Sequence, residues 1–149
     1  MTYITNLYHD PSCRRQIGTW VSAGDINVEA LTDGHFRYTH TGAGSWALLG
    51  LNWNALIKPG RVVVVAYTAT SGVSVTVENA TPLASGTTPS GATWKAGKIN
   101  VDGNHNVLCN GEGSVTLGAM AVYEGGDWPT VQQLLPRFPW FHGGTMPLQ

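Results

Sequence analysis

From Leu56 to Thr70 the chain reads Leu-Ile-Lys-Pro-Gly-Arg-Val-Val-Val-Val-Ala-Tyr-Thr-Ala-Thr, a Pro-Gly turn feeding a nearly unbroken apolar and β-branched run. Val, Thr and Tyr lose side-chain freedom in a helix but pack well on a pleated surface, so this run predicts a buried sheet strand over 61–70. Further strand-like runs fall at 3–8, 17–22, 35–41, 45–51, 73–78, 98–101, 106–109 and 114–123. In Val73-Ser74-Val75-Thr76-Val77-Glu78 the alternation is strict: three valines share one face and the polar residues the other, the pattern of a half-exposed strand. Breakers separate the runs at Asp33-Gly34, Thr41-Gly42-Ala43-Gly44, Pro59-Gly60, Asp102-Gly103 and Asn110-Gly111, the last two reading as hairpin turns whose glycines accept positive φ. Only Thr130-Val131-Gln132-Gln133-Leu134-Leu135 invites a helix, with Asp127 or Thr130 as its cap and Pro136 as its stop. The prediction is an all-β fold: one antiparallel β-sandwich or jelly roll with at most one short helix near the C-terminus.

The chain's 149 residues fit one domain able to bury a core of its own. With no internal repeat or low-complexity linker, residues 1–127 read as the sandwich. Residues 128–149 read as an aromatic and Pro-rich segment packing on it or on a neighbouring subunit. Charged residues make up only 11%, with 8 basic and 9 acidic, which leaves no electrostatic footprint for nucleic acid or anionic lipid. No apolar run approaches the roughly 20 residues of a membrane helix, and the first residues lack the regions of a signal peptide, so synthesis in a cytoplasm without classical export is expected. Cys13 and Cys109 make no disulfide framework and no metal spacing. Two reduced, packed thiols are expected; a bridge between them would close a loop of about 95 residues and contribute on the order of 4 kcal/mol.

Hydrolytic chemistry finds little to use. A glycosidase needs two opposed carboxylates, whereas Asp33, Asp102, Glu112 and Asp127 all sit at glycine-rich turns or caps. No Gly-x-Ser-x-Gly elbow occurs, and the histidines never fall at metal-ligand spacing; His35 and His40, read as surface or interface residues, lie five apart on one predicted strand. No catalytic residue, metal or cofactor is expected. Aromatic platforms are another matter: flat rings stack on the C–H faces of sugars while neighbouring side chains pair with hydroxyls. Trp46, Trp128, Trp140 and Tyr38 could serve. Trp94 is the first candidate, lifted by the polar loop 84–93 and flanked by Thr93, and Trp53 between Asn52 and Asn54 is the second.

The order of several landmarks resembles the galactose-binding-like, jelly-roll carbohydrate-binding domains of minor tail proteins from phages of actinobacteria. Asn6-Leu7-Tyr8-His9-Asp10-Pro11-Ser12 resembles the family's opening strand, and Gly18-Thr19-Trp20 the glycine and tryptophan that follow it. Ser45-Trp46-Ala47-Leu48 resembles the Ser-rich strand entry, and Ile57-Lys58-Pro59-Gly60 with Tyr67-Thr68 the strand after a Pro-Gly turn. Met120-Ala121-Val122-Tyr123-Glu124-Gly125 resembles the last core strand, and Trp140-Phe141-His142-Gly143-Gly144-Thr145-Met146-Pro147 the closing motif. Where the family has a Phe-Glu pair this chain has Cys13-Arg14; His142 and Gly144 replace both closing aspartates, and Gly118-Ala119 stands where the last core strand usually carries an acid. A calcium site stripped of carboxylates is not carried across.

The resemblance implies a non-enzymatic virion protein of minor-tail or tail-tip type, acting in particle assembly as a homo-oligomer among other virion proteins and adhering to host-surface glycan. Trp128, Phe138, Trp140, Phe141 and His142 are the interface residues this implies, since aromatics are enriched and charges depleted at interface cores. The alternatives are a capsid decoration protein that binds no sugar and a free-standing carbohydrate-binding module.

Overall fold

All six residues from Val62 to Tyr67 are buried, so this strand is covered on both faces. The computed structural model, which describes residues 2–50, 57–102, 106–134 and 145–148, shows what covers them. Its strands are β1 (Thr2–Thr5), β2 (Thr19–Val21), β3 (Ile26–Ala30), β4 (Phe36–His40), β5 (Ser45–Leu48), β6 (Val62–Ala69), β7 (Ser74–Val77), β8 (Ala80–Thr87), β9 (Thr93–Ile99), β10 (Val107–Asn110), β11 (Gly113–Tyr123) and β12 (Thr145–Leu148). A 3-10 turn (Gly125–Asp127) leads into the helix α1 (Trp128–Leu134). The strands form a six-stranded sheet in the order β3-β4-β11-β6-β9-β8, a four-stranded sheet in the order β2-β5-β10-β7, and the pair β1-β12. Every pairing is antiparallel, and the fold is an all-β sandwich.

Alternation along β6 divides its residues between two cores. Val63, Val65 and Tyr67 face the four-stranded sheet and pack with Trp46, Leu48, Val75, Val107 and Cys109. Val62 and Val64 face outward, where Ile4 of β1 and Trp128 and Val131 of α1 cover them beside Tyr123 and Ala96. Ile4 and α1 thus form a third layer, and it explains why β6 reads as continuous apolar sequence rather than as alternation. In β11 the register slips between Leu117 and Ala119, and Gly118 is the extra residue of a bulge. The bulge keeps both Leu117 and Met120 in the inter-sheet core although they lie three apart.

Asn6 ties the N-terminal segment to the far half of β11. Its Nδ2 donates to the Met120 carbonyl at 3.2 Å, and its Oδ1 accepts from the Val122 and Tyr8 backbone N–H groups, both at 3.0 Å. The Leu7 N–H adds a bond to the Val122 carbonyl at 2.8 Å. Asn6 therefore does for β11 what a neighbouring strand would do, satisfying buried backbone groups.

Several expectations are corrected. Ile26–Ala30 is a strand that weak Asn/Glu alternation concealed, and the expected polar loop 84–93 shrinks to 88–92, because β8 runs to Thr87 and β9 starts at Thr93. β8 carries Pro82 and Gly86, and it is an edge strand, where a missing N–H is tolerated. α1 begins at Trp128 rather than Thr130, with Pro129 in its first turn where no intrahelical N–H bond is needed. The strand predicted at 98–101 starts at Thr93 and ends at Ile99. Gly103 lies outside the described residues. Gly111 has the positive φ (+103) that its Asn-Gly pair predicts, but the turn is not the expected hairpin: β10 belongs to the four-stranded sheet and β11 to the six-stranded one, so it carries the chain from one sheet to the other.

Cys13 and Cys109 are both free and buried. Burial pushes the Cys13 thiol well above its ordinary range and the Cys109 thiol up to about 12, because a thiolate would be stranded away from water. The sign follows directly: unfolded thiols ionise near pH 9 and the folded Cys109 near 12, so its contribution is complete below pH 9 and lost as pH rises toward 12. Denaturant midpoints are expected to fall across that window, and neither thiol should react with an alkylating reagent until the chain unfolds. Fast labelling of either cysteine in native protein would contradict the buried placement.

Candidate binding surface

The outer face of the four-stranded sheet is set by what its strands point inward. Trp46, Val75 and Cys109 are fully buried in the inter-sheet core, so their neighbours in sequence point away from it. The registers then align Trp20, Ala47, Leu108 and Thr76 in one row across all four strands. At the usual strand spacing this row runs about 14 Å. Trp20, on the edge strand β2, is 50% exposed, the largest exposed apolar side chain among the described residues. The next row is hydroxyl and amide: Ser45, Asn110 and Ser74 in register, with Ser22 beside them. Asn110 Nδ2 donates to Ser45 Oγ at 3.3 Å and Ser22 Oγ to the Ser45 carbonyl at 2.8 Å, which holds this polar row in place.

Beside this face the two sheets part along their edge strands β7 and β8, joined by a tight corner in which Asn79 takes φ +55. The opening is a groove of about 670 Å³ whose lining includes Thr76, Glu78, Leu83, Ser85, Lys95 and Leu108. Lys95 spans it, its Nζ donating to the Val75 carbonyl at 2.7 Å and standing 5.9 Å from the Tyr67 ring centroid. Toward the corner, Glu78 Oε2 accepts from Asn106 Nδ2 at 3.1 Å. A carboxylate only accepts, so that bond fixes the amide's orientation and leaves the buried Asn106 Oδ1 without a partner among the described residues.

Trp94 is not lifted on a loop. It lies on β9 opposite Gly86 of β8, half-buried beside the outer core of the six-stranded sheet. A Cβ at Gly86 would stand 2.7 Å from Trp94 Nε1, so the indole lies against the glycine and shields its bare backbone. Thr93 is exposed and adjacent on the same strand, so it points to the opposite face and the two make no joint site. Trp128 is 9% exposed and packs within the outer core. Tyr38 and Trp46 are buried; the Tyr38 hydroxyl accepts from the Ile17 N–H at 3.0 Å, and Trp46 Nε1 donates to the Gly111 carbonyl at 3.0 Å. Asn52, Trp53, Asn54, Phe138, Trp140, Phe141 and His142 lie outside the described residues.

His40 is a core residue rather than a surface one. It is fully buried, its Nδ1 3.1 Å from the Gly111 carbonyl and its Nε2 2.8 Å from the Ala23 carbonyl, with its ring against Trp46. His35 precedes β4 and pairs with Asp33, whose carboxyl is held below the usual range chiefly by hydrogen bonds from His35. The other carboxylates with hydrogen-bond partners have structural duties: Asp10 accepts from the Arg14 and Arg15 N–H groups, Glu29 pairs with Arg37, and Glu124 with Arg61. Among the described residues, no three His, Cys, Asp or Glu side chains gather so as to hold a metal ion.

Trp20 and Lys95 are the residues that sequence reasoning passed over as ligands. Thr19-Trp20-Val21 carries the signal, because Val21 facing inward forces Trp20 outward; Lys95 was hidden because its surroundings read as loop. No family model, curated protein or solved structure matches this chain.

Proposed function

We propose that the chain is a non-catalytic adhesion domain of a phage virion, of minor-tail or tail-tip type, that binds glycan through the outer face of its four-stranded sheet. The observation that carries this reading is the half-exposed Trp20 at one end of a flat face furnished with Ser22, Ser45, Ser74, Thr76 and Asn110. A saccharide offers apolar C–H faces and many hydroxyls but no net charge. An exposed indole beside a row of neutral hydroxyls and an amide meets both needs, and among the described residues of these four strands and their ends the charged side chain on this face is Glu78 at one corner. The placement on a virion rests on the resemblance of the opening, central and closing motifs to phage tail domains and on the low charge of the chain.

The test is a glycan array read with the intact protein and two single variants. Trp20→Ala is expected to weaken binding of the recognised glycan at least tenfold with little change in melting temperature, since an exposed ring contributes little to the fold. Trp94→Ala, on the far side of the molecule, should lower stability and leave affinity unchanged. Loss of binding with Trp94→Ala alone, or attachment to purified empty capsid shells without binding to any glycan, would replace this reading with the module centred on Trp94 or with shell decoration.

A further inference from the structure

The groove beside β7 and β8 contains a cation that no carboxylate among the described residues pairs. Lys95 is half-buried, and among the described residues no carboxylate lies within ion-pair distance of it. An ammonium has three donors and the Val75 carbonyl takes one, which leaves unspent hydrogen-bonding capacity in the groove that Lys95 lines. Glu78 lies toward the other end: it is three residues beyond Val75, about 10 Å along an extended chain. Its carboxylate accepts hydrogen bonds and repels anions, so a matching ligand presents an anionic group to Lys95 and hydroxyl donors toward Glu78. One lysine opposite one carboxylate suits a monoanion better than a phosphate dianion.

The rim of the groove is shared with the Trp20 face, because Thr76 and Leu108 belong to both. A chain lying along Trp20, Leu108 and Thr76, across the buried Ala47, would run on into the groove. An added peptide strand is a poor occupant by comparison: Pro82 has no N–H, and the register slip between Pro82 and Ala84 breaks the edge of β8 that such a strand would need.

We infer that the groove binds a carboxylate-bearing sugar unit of the same glycan, with Lys95 Nζ pairing the sugar carboxylate, Ser85 beside it, and Glu78 accepting from sugar hydroxyls. The inference rests on the saccharide reading above and narrows it to acidic glycans.

Calorimetric titration of the intact protein with oligogalacturonate and with its methyl ester tests it, because esterification removes the carboxylate's charge and adds only a methyl group. The acid form is expected to bind about tenfold tighter or better, as a hydrogen-bonded charge pair contributes, and the margin should shrink as salt is raised. Lys95→Met and Lys95→Gln should abolish the preference while leaving ester binding in place; Lys95→Arg should retain it; Trp20→Ala should weaken both forms alike. Two lysine variants guard against loss of the strut to Val75 in either one, with melting curves as the check on folding. Equal binding of the two forms, or a preference that survives both lysine variants, overturns the acidic-sugar inference and leaves the saccharide reading standing. Binding of neither form overturns the inference alone if neutral glycans bind on the array, and overturns both readings if none does.

Discussion

Gly111→Val is expected to prevent the chain from reaching its native fold, with a loss on the order of 4 kcal/mol or more. Gly111 has φ +103, a region that a β-branched residue does not enter. A Cβ there would also collide with the backbone carbonyl of Gly72, which cannot swing aside as a side chain could. The carbonyl of Gly111 accepts from Trp46 Nε1 and stands 3.1 Å from His40 Nδ1, so any retreat of this inter-sheet turn disturbs two buried rings at once. Gly91 provides the control: its φ is +90, but nothing lies within 4 Å of the Cβ position, so Gly91→Ala should cost only about 1 kcal/mol, the ordinary charge for a left-handed non-glycine residue. Urea midpoints of Gly111→Ala and Gly91→Ala decide the matter. If the two fall equally, the crowding at Gly111 is not what holds that turn.

Asn6→Ala should be nearly as damaging, by about 3–5 kcal/mol. The side chain is 4% exposed and its removal orphans the Val122 and Tyr8 N–H groups and the Met120 carbonyl, each a buried group whose desolvation costs roughly 1–3 kcal/mol when unpaired. Asn6→Asp is a sharper probe. An ionised carboxylate keeps both acceptor bonds but faces the Met120 carbonyl with no proton to offer, whereas the protonated acid can restore that donor. Burial disfavours its charged form, so the melting temperature of this variant, measured relative to the parent, should rise as pH falls from 8 to 4. A pH-independent difference would show that Asn6 does not hold the Met120 carbonyl.

These two residues mark where reading the chain alone succeeds and where it stops. The Asn110-Gly111 pair is visible as a turn because its signal is local, and the valine run at 61–70 is visible as a buried strand for the same reason. Asn6 lies 114 residues from the carbonyl it holds, and no local pattern distinguishes it from an ordinary turn-former. β8 escaped because Pro82, Gly86 and Ser85 are loop residues in every setting but an edge strand, where one side of the ladder is free. That single omission carried Trp94 from a strand into an imagined loop and made it the leading platform. Trp20 was overlooked for a related reason: on a strand of three residues, alternation is too short to be noticed until the partner strand supplies the register.

The pairing of β1 with β12 sets Thr2 opposite Leu148 and Thr5 opposite Thr145. Backbone positions facing each other across an antiparallel pair lie about 5 Å apart, a gap that a few glycines and serines can bridge. The polypeptide is therefore suited to circular permutation: sealed between these two points and reopened at the exposed, unobstructed turn around Gly91, it should recover the same layers from a rearranged gene.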